Sequence, residues 1–345
     1  PPPDVTTYRD PYVWRTHSEQ ADPWRMIVGA GLRDGRGAAL LYTSPDLGTW
    51  TYRCPLHQRA DEGPGIRTGE AWECPQLAAF PDGRVLLITS SWYQRTGPAQ
   101  VAGWAGTTDG ERHHFADPFR LDHGPDFYAP ALLHAPDGRW LLWGWSWEAR
   151  DERAAKEAGW AGVLTLPREI TLTPDGRTRQ TPARELEGLR TGTPLQARHT
   201  ARPGREGSLG TTERVSELRV TARFGRDAAW GLRLAGDDGE RLDLVIRRGR
   251  LTIDRGHASR DPRAHVGTYG MPLPQAAPGR TVELRLLLDH TILELFTDSG
   301  ETLTLRCYPT GDGPWTLLSR GLATDYVAVE VEAHALRPPE PEEEA

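Results

Sequence analysis

Two segments decide the fold class: Pro81-Asp-Gly-Arg-Val-Leu-Leu-Ile-Thr89 and Pro136-Asp-Gly-Arg-Trp-Leu-Leu-Trp-Gly-Trp145. In each, a Pro-Asp-Gly turn stands directly before an apolar run, which is typical of a turn that leads into a β-strand. The same turn recurs at 174–177, and residues 26–30 and 38–42 form another predicted strand pair. Antiparallel units that repeat every ~40–50 residues predict the blades of a β-propeller, with a generic β-meander as the alternative.

The sequence beyond residue 190 has a different pattern. Apolar and polar residues alternate with period two, which predicts an antiparallel β-sandwich. The predicted strands lie at 217–224, 241–246, 250–253, 281–288, 292–296 and 302–306. Helical periodicity is weak, and residues 148–159 hold at most a short helix.

These patterns predict an all-β chain with two domains. We expect a propeller domain at 1–190, a linker at 191–212, a β-sandwich at 213–336 and a disordered acidic tail at 337–345.

Composition and charge exclude several classes of protein. The chain has 345 residues and a net charge of −7, which argues against nucleic acid as a partner because phosphate binding needs a basic face. We expect no membrane span, since no apolar run reaches about 18 residues. The three cysteines, Cys54, Cys74 and Cys307, show no paired spacing and favour a reducing compartment such as the cytoplasm. The chain begins Pro-Pro-Pro-Asp without an initiator Met, so we expect that a targeting segment could be missing.

Four clusters in the first 190 residues combine titratable and aromatic side chains. They are Tyr8-Arg-Asp-Pro11, Ala71-Trp-Glu-Cys-Pro75, Leu121-Asp-His-Gly-Pro-Asp-Phe-Tyr-Ala129, and Gly144-Trp145 together with Trp160-Ala-Gly162 and Pro167-Arg-Glu169. Eleven of the 13 Trp residues also lie before residue 190.

These clusters, in this order, resemble glycoside hydrolase family 32, the invertases, levanases and inulinases that cleave fructosides. The matching motifs are Arg-Asp-Pro, Glu-Cys-Pro, Asp-x-Gly-x-Asp-Phe-Tyr-Ala, Gly-Trp and Trp-Ala-Gly-x-x-x-x-Pro-Arg-Glu, and the resemblance covers roughly residues 5–335. It implies a five-bladed β-propeller followed by a β-sandwich. It also implies a retaining two-carboxylate mechanism that needs no metal or organic cofactor.

The resemblance assigns a role to six residues. Glu73 would be the general acid/base and Asp10 the transition-state stabiliser, while Arg9 would orient the site or keep Asp10 ionised. The remaining candidates for substrate binding are Trp72 in an apolar collar, Asp122 near the subsites, and Trp145 as a stacking platform.

Structural alternatives stay open for several of these residues. Glu73 could be a solvated loop residue, and Asp10 a turn residue before Pro11. Asp122, like its neighbour Asp126, could make turn hydrogen bonds, and Trp145 could pack in a core.

One expected element is absent from the sequence. The nucleophile in this family is the Asp of a Trp-x-Asn-Asp-Pro-x-Gly motif in the first blade, and the 345 residues contain no such motif. Because Arg-Asp-Pro opens the third blade in the family, we expect residues 1–190 to be about blades three to five. We therefore expect the first two blades to be missing, the chain to be N-terminally truncated, and the chain alone to be inactive.

Other interpretations remain. One alternative is a non-catalytic fructan-binding protein. A second is a sialidase-like propeller, since Ser44-Pro-Asp-Leu-Gly-Thr-Trp50 approaches the sequence motif of that family. A third is a neighbouring family of fructosyl or arabinosyl hydrolases. The sequence does not choose among sucrose, sucrose phosphate, levan and inulin as substrates. It also leaves open hydrolysis or fructosyl transfer, and the oligomeric state.

Overall fold

A computed structural model describes residues 2–16, 22–109, 112–322 and 324–337. The chain separates into two compact units. The first comprises 1–122, 127–145 and 164–181, and the second comprises 123–126, 146–163 and 182–345. Most of the tail predicted at 337–345 lies outside the described residues. Within the described ranges, no helix is both long and apolar enough to cross a membrane.

In the described residues, the first unit contains a nine-stranded and a five-stranded antiparallel sheet, and its strands follow one another in three consecutive groups. The first group is β1 (Val5–Arg15), β2 (Trp24–Leu32), β3 (Arg36–Ser44) and β4 (Thr51–Ala60). The second is β5 (Ala71–Ala79), β6 (Arg84–Tyr93) and β7 (Gly97–Thr108), with the short β8 (His113–Phe115) and β9 (Phe119–Arg120) paired to β7. The third is β10 (Tyr128–His134), β11 (Trp140–Ser146), β12 (Val163–Leu164), β13 (Arg168–Leu172) and β14 (Thr178–Pro182). Gly31 of β2 also pairs with Ala71 of β5, which joins the first two groups into the nine-stranded sheet. Propeller blades are antiparallel units of four strands, and the division of these sheets into blades stays a prediction.

All three Pro-Asp-Gly-Arg segments form the predicted turns. Gly83, Gly138 and Gly176 have φ of 82°, 85° and 77°, in the left-handed region that glycine adopts without steric strain. In each turn the Asp carboxylate pairs with the Arg two residues later, as Asp82 does with Arg84 at 2.6 Å. The turns join β5 to β6, β10 to β11 and β13 to β14, so local sequence sets these three connections.

The core of the first unit is aromatic. Trp72 and Trp104 are fully buried with ring centroids 4.7 Å apart, and Ile27 and Leu87 pack into the same cluster. Trp72 also donates a hydrogen bond from its indole N–H to the Thr68 carbonyl at 3.0 Å, so the buried polar atom is satisfied.

The second unit contains two six-stranded antiparallel sheets, as the alternation predicts. In spatial order, one sheet is β15 (Arg190–Ala201), β26 (Val327–Leu336), β17 (Val215–Phe224), β22 (Thr281–Asp289), β23 (Ile292–Thr297) and β24 (Thr302–Arg306). The other is β16 (Glu206–Thr212), β25 (Trp315–Gly321), β18 (Ala229–Ala235), β19 (Arg241–Arg247), β20 (Arg250–His257) and β21 (Thr268–Pro272). Alternate residues such as Leu242, Leu244 and Ile246 are buried, and they share one apolar cluster with Trp230 and Trp315.

The predicted linker at 191–212 is wrong. These residues form most of β15 and all of β16, which pair with β26 and β25 respectively. Local sequence suggested a connector because the segment is rich in Gly, Thr and Arg. Backbone pairing with strands more than 100 residues later makes it part of both sheets instead.

The short helix expected within 148–159 is confirmed as α1 (Glu152–Ala158). The Asp151 side chain accepts a hydrogen bond from the Ala154 N–H at 2.7 Å, and Gly159 ends the helix with φ of 78°. An acidic N-cap and a left-handed glycine are the local signals that define such a helix. Within the part of the chain that the structure describes, 3₁₀ helices also occur at Arg184–Leu189 and Asp237–Gly239.

Candidate active site

The candidate site is built where β1 and β5 are irregular. The β1–β2 register shifts between Arg9 and Tyr12, and the β5–β6 register shifts between Glu73 and Gln76. Two non-glycine residues at these irregularities have positive φ, Asp10 at 61° and Cys74 at 46°. Bulges redirect side chains and are frequent beside active sites, and strained backbone is concentrated there too.

Gly29 on β2 lets these two strands approach each other. It pairs with Arg9 in the β1–β2 ladder. A Cβ atom on Gly29 would lie 2.3 Å from the Trp72 carbonyl oxygen and 3.3 Å from the Arg9 carbonyl oxygen. Since only glycine fits between the two backbones, Gly29 contributes to the site although no side chain is present. The sequence signal was a glycine in the interior of a predicted strand.

Asp10 and Glu73 meet through the backbone of Cys74. The Cys74 N–H donates to Oδ2 of Asp10 at 3.0 Å, and the Cys74 thiol lies 3.5 Å from the same oxygen. A turn Asp would bond to its own neighbours, but Asp10 reaches a residue 64 positions away. One hydrogen bond therefore joins Asp10 to the residue directly after Glu73.

Glu73 is held by two donors. Arg9 Nη1 donates to Oε1 at 2.9 Å, and the Tyr128 hydroxyl donates to Oε2 at 2.8 Å. The Glu73 side chain is only 13% exposed, so it is not a solvated loop residue. Arg9 was expected to orient the site or keep Asp10 ionised, and its contact in the structure is with Glu73.

Tyr128 is a further site residue to which the sequence assigned no role. Its motif was recognised, but nothing in the sequence indicated that its hydroxyl would reach Glu73, 55 residues earlier. Burial, followed by the negative charge of Glu73, raises the pKa of Tyr128 far above its usual value. The phenol therefore stays protonated and acts as a donor over the whole working pH range.

Cys74 is not a candidate nucleophile. Burial, followed by the charge of Asp10, raises the pKa of its thiol to about 12. A nucleophilic cysteine needs its thiolate form near neutral pH. The protonated thiol can only support Asp10.

Trp72 does not line the site, contrary to expectation. Its side chain is fully buried in the aromatic core described above. The Trp72 carbonyl packs against Gly29, so this residue supports β5 from the side of the aromatic core. Its side chain is inaccessible to a substrate.

Trp145 and Asp122 differ sharply in accessibility. Trp145 is 42% exposed, which argues against core packing, and it stands opposite Tyr128 in the β10–β11 ladder. Asp122 is 3% exposed, and its Oδ2 accepts a hydrogen bond from Arg168 at 2.8 Å. The geometry favours a structural role for Asp122, while the stacking role of Trp145 stays a prediction.

Asp126 is also buried, in the second unit. It accepts hydrogen bonds from Arg255 Nη1 at 2.5 Å, from the Arg306 N–H at 2.7 Å and from the Trp147 indole at 3.2 Å. Burial raises the pKa of Asp126, and Arg255 opposes that shift. The alternative of turn hydrogen bonds is therefore wrong for Asp126, because the partners of its carboxylate are distant in sequence.

Across the described ranges, no group of three His, Cys, Asp or Glu side chains is arranged to hold a metal ion.

Two family models match consecutive parts of the chain. The N-terminal domain model of glycosyl hydrolases family 32 matches residues 1–182, and the C-terminal domain model of that family matches residues 185–333. The chain belongs to glycoside hydrolase family 32. The boundary between the two matches falls close to residue 182, where the second unit resumes.

Curated family 32 proteins are similar over most of this chain. Sucrose-6-phosphate hydrolase of Escherichia coli is 32% identical, and the match covers 90% of this chain and 63% of that protein. Raffinose invertase of Escherichia coli is 31% identical, with the same coverage of 90% and 63%. The chain thus spans less than two thirds of the length of these relatives.

Solved family 32 structures share the fold. Fructan 1-exohydrolase IIa from Cichorium intybus superimposes with a TM-score of 0.81 at 21% identity, covering 98% of this chain and 73% of that one. This similarity supports a β-propeller followed by a β-sandwich.

Proposed function

We propose that this chain carries the acid/base and the stabilising carboxylate for retaining cleavage of β-fructofuranosyl linkages. The observation that carries the proposal is the junction of Asp10 and Glu73 through the Cys74 N–H, on two bulged strands. Family membership supplies the substrate class, since similar curated proteins are named for sucrose 6-phosphate, raffinose and levan.

In the proposed reaction, Glu73 acts twice. It first gives its proton to the leaving glycosidic oxygen, and it then takes a proton from the water that releases the fructosyl group. Arg9 and Tyr128 each hold one carboxylate oxygen and thereby fix the orientation of the group.

Asp10 stabilises the oxocarbenium-like transition state. A carboxylate hydrogen-bonded to sugar hydroxyls gains strength as positive charge develops on the ring. The Cys74 N–H holds Oδ2, which leaves Oδ1 as the oxygen for a substrate hydroxyl.

A retaining mechanism also needs a carboxylate nucleophile. Because the chain has no Trp-x-Asn-Asp-Pro-x-Gly motif, we infer that it binds fructosides but does not turn them over unaided. Formate, a small external carboxylate, can replace the nucleophile. Its oxygen bonds to the anomeric carbon while the bond to the leaving oxygen breaks, and Glu73 protonates that oxygen.

The test is release of glucose from sucrose by the purified chain, with and without formate. We expect no release without formate and formate-dependent release with it. The Glu73→Gln variant should lose this release, while Glu70→Gln, at an exposed position just before β5, should keep it. Unaided turnover would contradict the inference on the nucleophile.

The alternative is a fructan-binding protein without catalysis. It predicts binding of inulin or levan that is unchanged in Glu73→Gln, with no formate-dependent release from any substrate. The same assay on sucrose, sucrose 6-phosphate, levan and inulin compares the substrate classes.

A further inference from the structure

The strand that carries Tyr128 lies at the edge of its sheet. Among the described strands, β10 pairs only with β11. Its register with β11 shifts between Tyr128 and Ala131, and Pro130 inside this bulge has no N–H to donate. An edge strand with an interrupted ladder needs acceptors from elsewhere to fix its backbone. The position of the Tyr128 hydroxyl therefore depends on contacts outside the five-stranded sheet.

Two side chains of the nine-stranded sheet supply these acceptors. The Ala129 N–H donates to Ser90 Oγ on β6 at 3.1 Å, and the Leu132 N–H donates to Gln76 Oε1 on β5 at 2.9 Å. Gln76 also donates from Nε2 to the Pro75 carbonyl at 2.9 Å, so both ends of its amide are engaged. The two side chains thus do the work of ladder bonds between strands that belong to different sheets.

One of these bonds acts where the backbone is strained. Ala129 has φ of 44°, in the left-handed region that is unfavourable for a residue with a Cβ atom. Such a conformation persists only where the surrounding structure holds it. Ser90 is fully buried, and its hydroxyl accepts from the N–H of this same residue. Because Ala129 directly follows Tyr128, a change in its backbone would redirect the phenol.

The Tyr128 hydroxyl reaches more than one acceptor. It lies 2.8 Å from Glu73 Oε2 and 3.2 Å from the Ser91 carbonyl oxygen. A phenol has a single O–H to donate. A small displacement of β10 would therefore be enough to favour the Ser91 carbonyl and to deprive Glu73 of its phenol donor.

We propose that Ser90 and Gln76 are positioning residues for the acid/base. By fixing the β10 backbone, they make Glu73 rather than the Ser91 carbonyl the acceptor of the Tyr128 hydroxyl, and so orient the Glu73 carboxylate. Both residues act through β10 and take no step in the reaction themselves. The proposal rests on the proposed function of Glu73.

The test is a double-mutant cycle on formate-dependent glucose release from sucrose. Ser90→Ala removes the acceptor of the Ala129 N–H, and we expect release at saturating sucrose to fall roughly tenfold with little change in KM. Because Ser90 acts through Tyr128, adding Ser90→Ala to Tyr128→Phe should lower release by at most about twofold more. Gln76→Met, which keeps the length of the side chain and removes the acceptor, should behave in the same way.

The matched control is Thr89→Val on the same strand. Thr89 is fully buried like Ser90, but its hydroxyl has no hydrogen-bond partner within the ranges that the structure describes. We expect its removal to leave release unchanged. Equal fold losses from Ser90→Ala in the wild-type and Tyr128→Phe backgrounds would overturn the proposal, since a purely structural role lowers both alike. An unchanged rate in Ser90→Ala would overturn it as well.

The position of the phenol is also measured without catalysis. The carbon NMR signal of Tyr128 Cζ in the full chain, assigned by its loss in Tyr128→Phe, reports the hydrogen bond of the hydroxyl. We expect this signal to shift in Ser90→Ala and Gln76→Met and to stay in place in Thr89→Val; an unmoved signal in Ser90→Ala would overturn the positioning. A shifted signal in a chain whose wild type shows no formate-dependent release would instead refute the proposed function of Glu73 and leave the positioning of Tyr128 standing.

Discussion

Partly buried His57 on β4 should make the first unit sensitive to acid. Its imidazole packs against Trp72, Trp104 and Phe115, with ring centroids 5.5, 5.5 and 4.9 Å away. Its Nε2 is buried and has no hydrogen-bond partner in the part of the chain that the structure describes. Burial, with a smaller contribution from Arg59, lowers the pKa of His57 from 6.5 to about 4.

The direction in which stability changes with pH follows from proton binding by the folded and unfolded chain. Between pH 6.5 and about 4, the unfolded chain binds a proton at His57 that the folded chain does not bind. Stability is therefore complete above pH 6.5 and is lost as the pH falls toward 4. From this shift, the loss between pH 7 and pH 4.5 is roughly 2.5 kcal/mol from this one group.

The perturbation is His57→Phe, which keeps an aromatic ring and removes the titrating group. Urea unfolding at pH 7 and pH 4.5 measures the change, with tryptophan fluorescence as the signal because Trp72 and Trp104 touch the ring. We expect the variant to lose about 2.5 kcal/mol less than the wild type between the two pH values. The matched control is His114→Phe, at an exposed position on β8.

Equal losses of stability in wild type and His57→Phe would refute the reasoning, because the imidazole would then titrate alike in both states. His57→Leu serves as a second apolar replacement in case phenylalanine overpacks the cluster, which costs about 1–3 kcal/mol at both pH values alike.

Three further predictions concern the site and the second unit. Tyr128→Phe removes the hydroxyl that holds Glu73. Formate-dependent glucose release should then fall by roughly 10²-fold, with little change in sucrose binding. An unchanged rate would mean that Arg9 alone orients the Glu73 carboxylate. Gly29→Ala would place a Cβ 2.3 Å from the Trp72 carbonyl, so β5 must move, and release should again fall by about 10²-fold. Gly188→Ala, where an added Cβ has no heavy atom within 4 Å and the backbone is not left-handed, should keep the rate. Asp126→Ala leaves the buried Arg255 without its carboxylate partner. It should lower the free energy of unfolding, measured in urea titrations, by about 3–5 kcal/mol. A decrease of less than about 1 kcal/mol would contradict the pairing of these two buried charges.

Much of the fold could be read from short sequence patterns. The three Pro-Asp-Gly-Arg turns form as predicted, because proline, aspartate and glycine each favour the required backbone conformation locally. The sandwich strands follow from alternation, since one face of each strand must be buried. The segment 191–212 could not be read in this way, because its strand pairing depends on partners more than 100 residues away.

The residues of the candidate site could likewise be predicted only where a local motif identifies them. The motifs around Asp10 and Glu73 identified the two carboxylates from sequence. Trp72 was misplaced because its burial depends on packing against Trp104. Tyr128 and Gly29 received no role because their contacts cross between strands that are far apart in the chain.

By itself, the sequence determined the turns, the strand periodicity and the order of motifs that identifies the family, since these depend on residues close together in the chain. Only the tertiary structure decided which groups meet: Arg9 and Tyr128 on Glu73, the Cys74 N–H on Asp10, and Arg255 on Asp126. The physical reason is that hydrogen bonds and ion pairs form between side chains brought together by strand pairing, and sequence distance carries no record of that proximity.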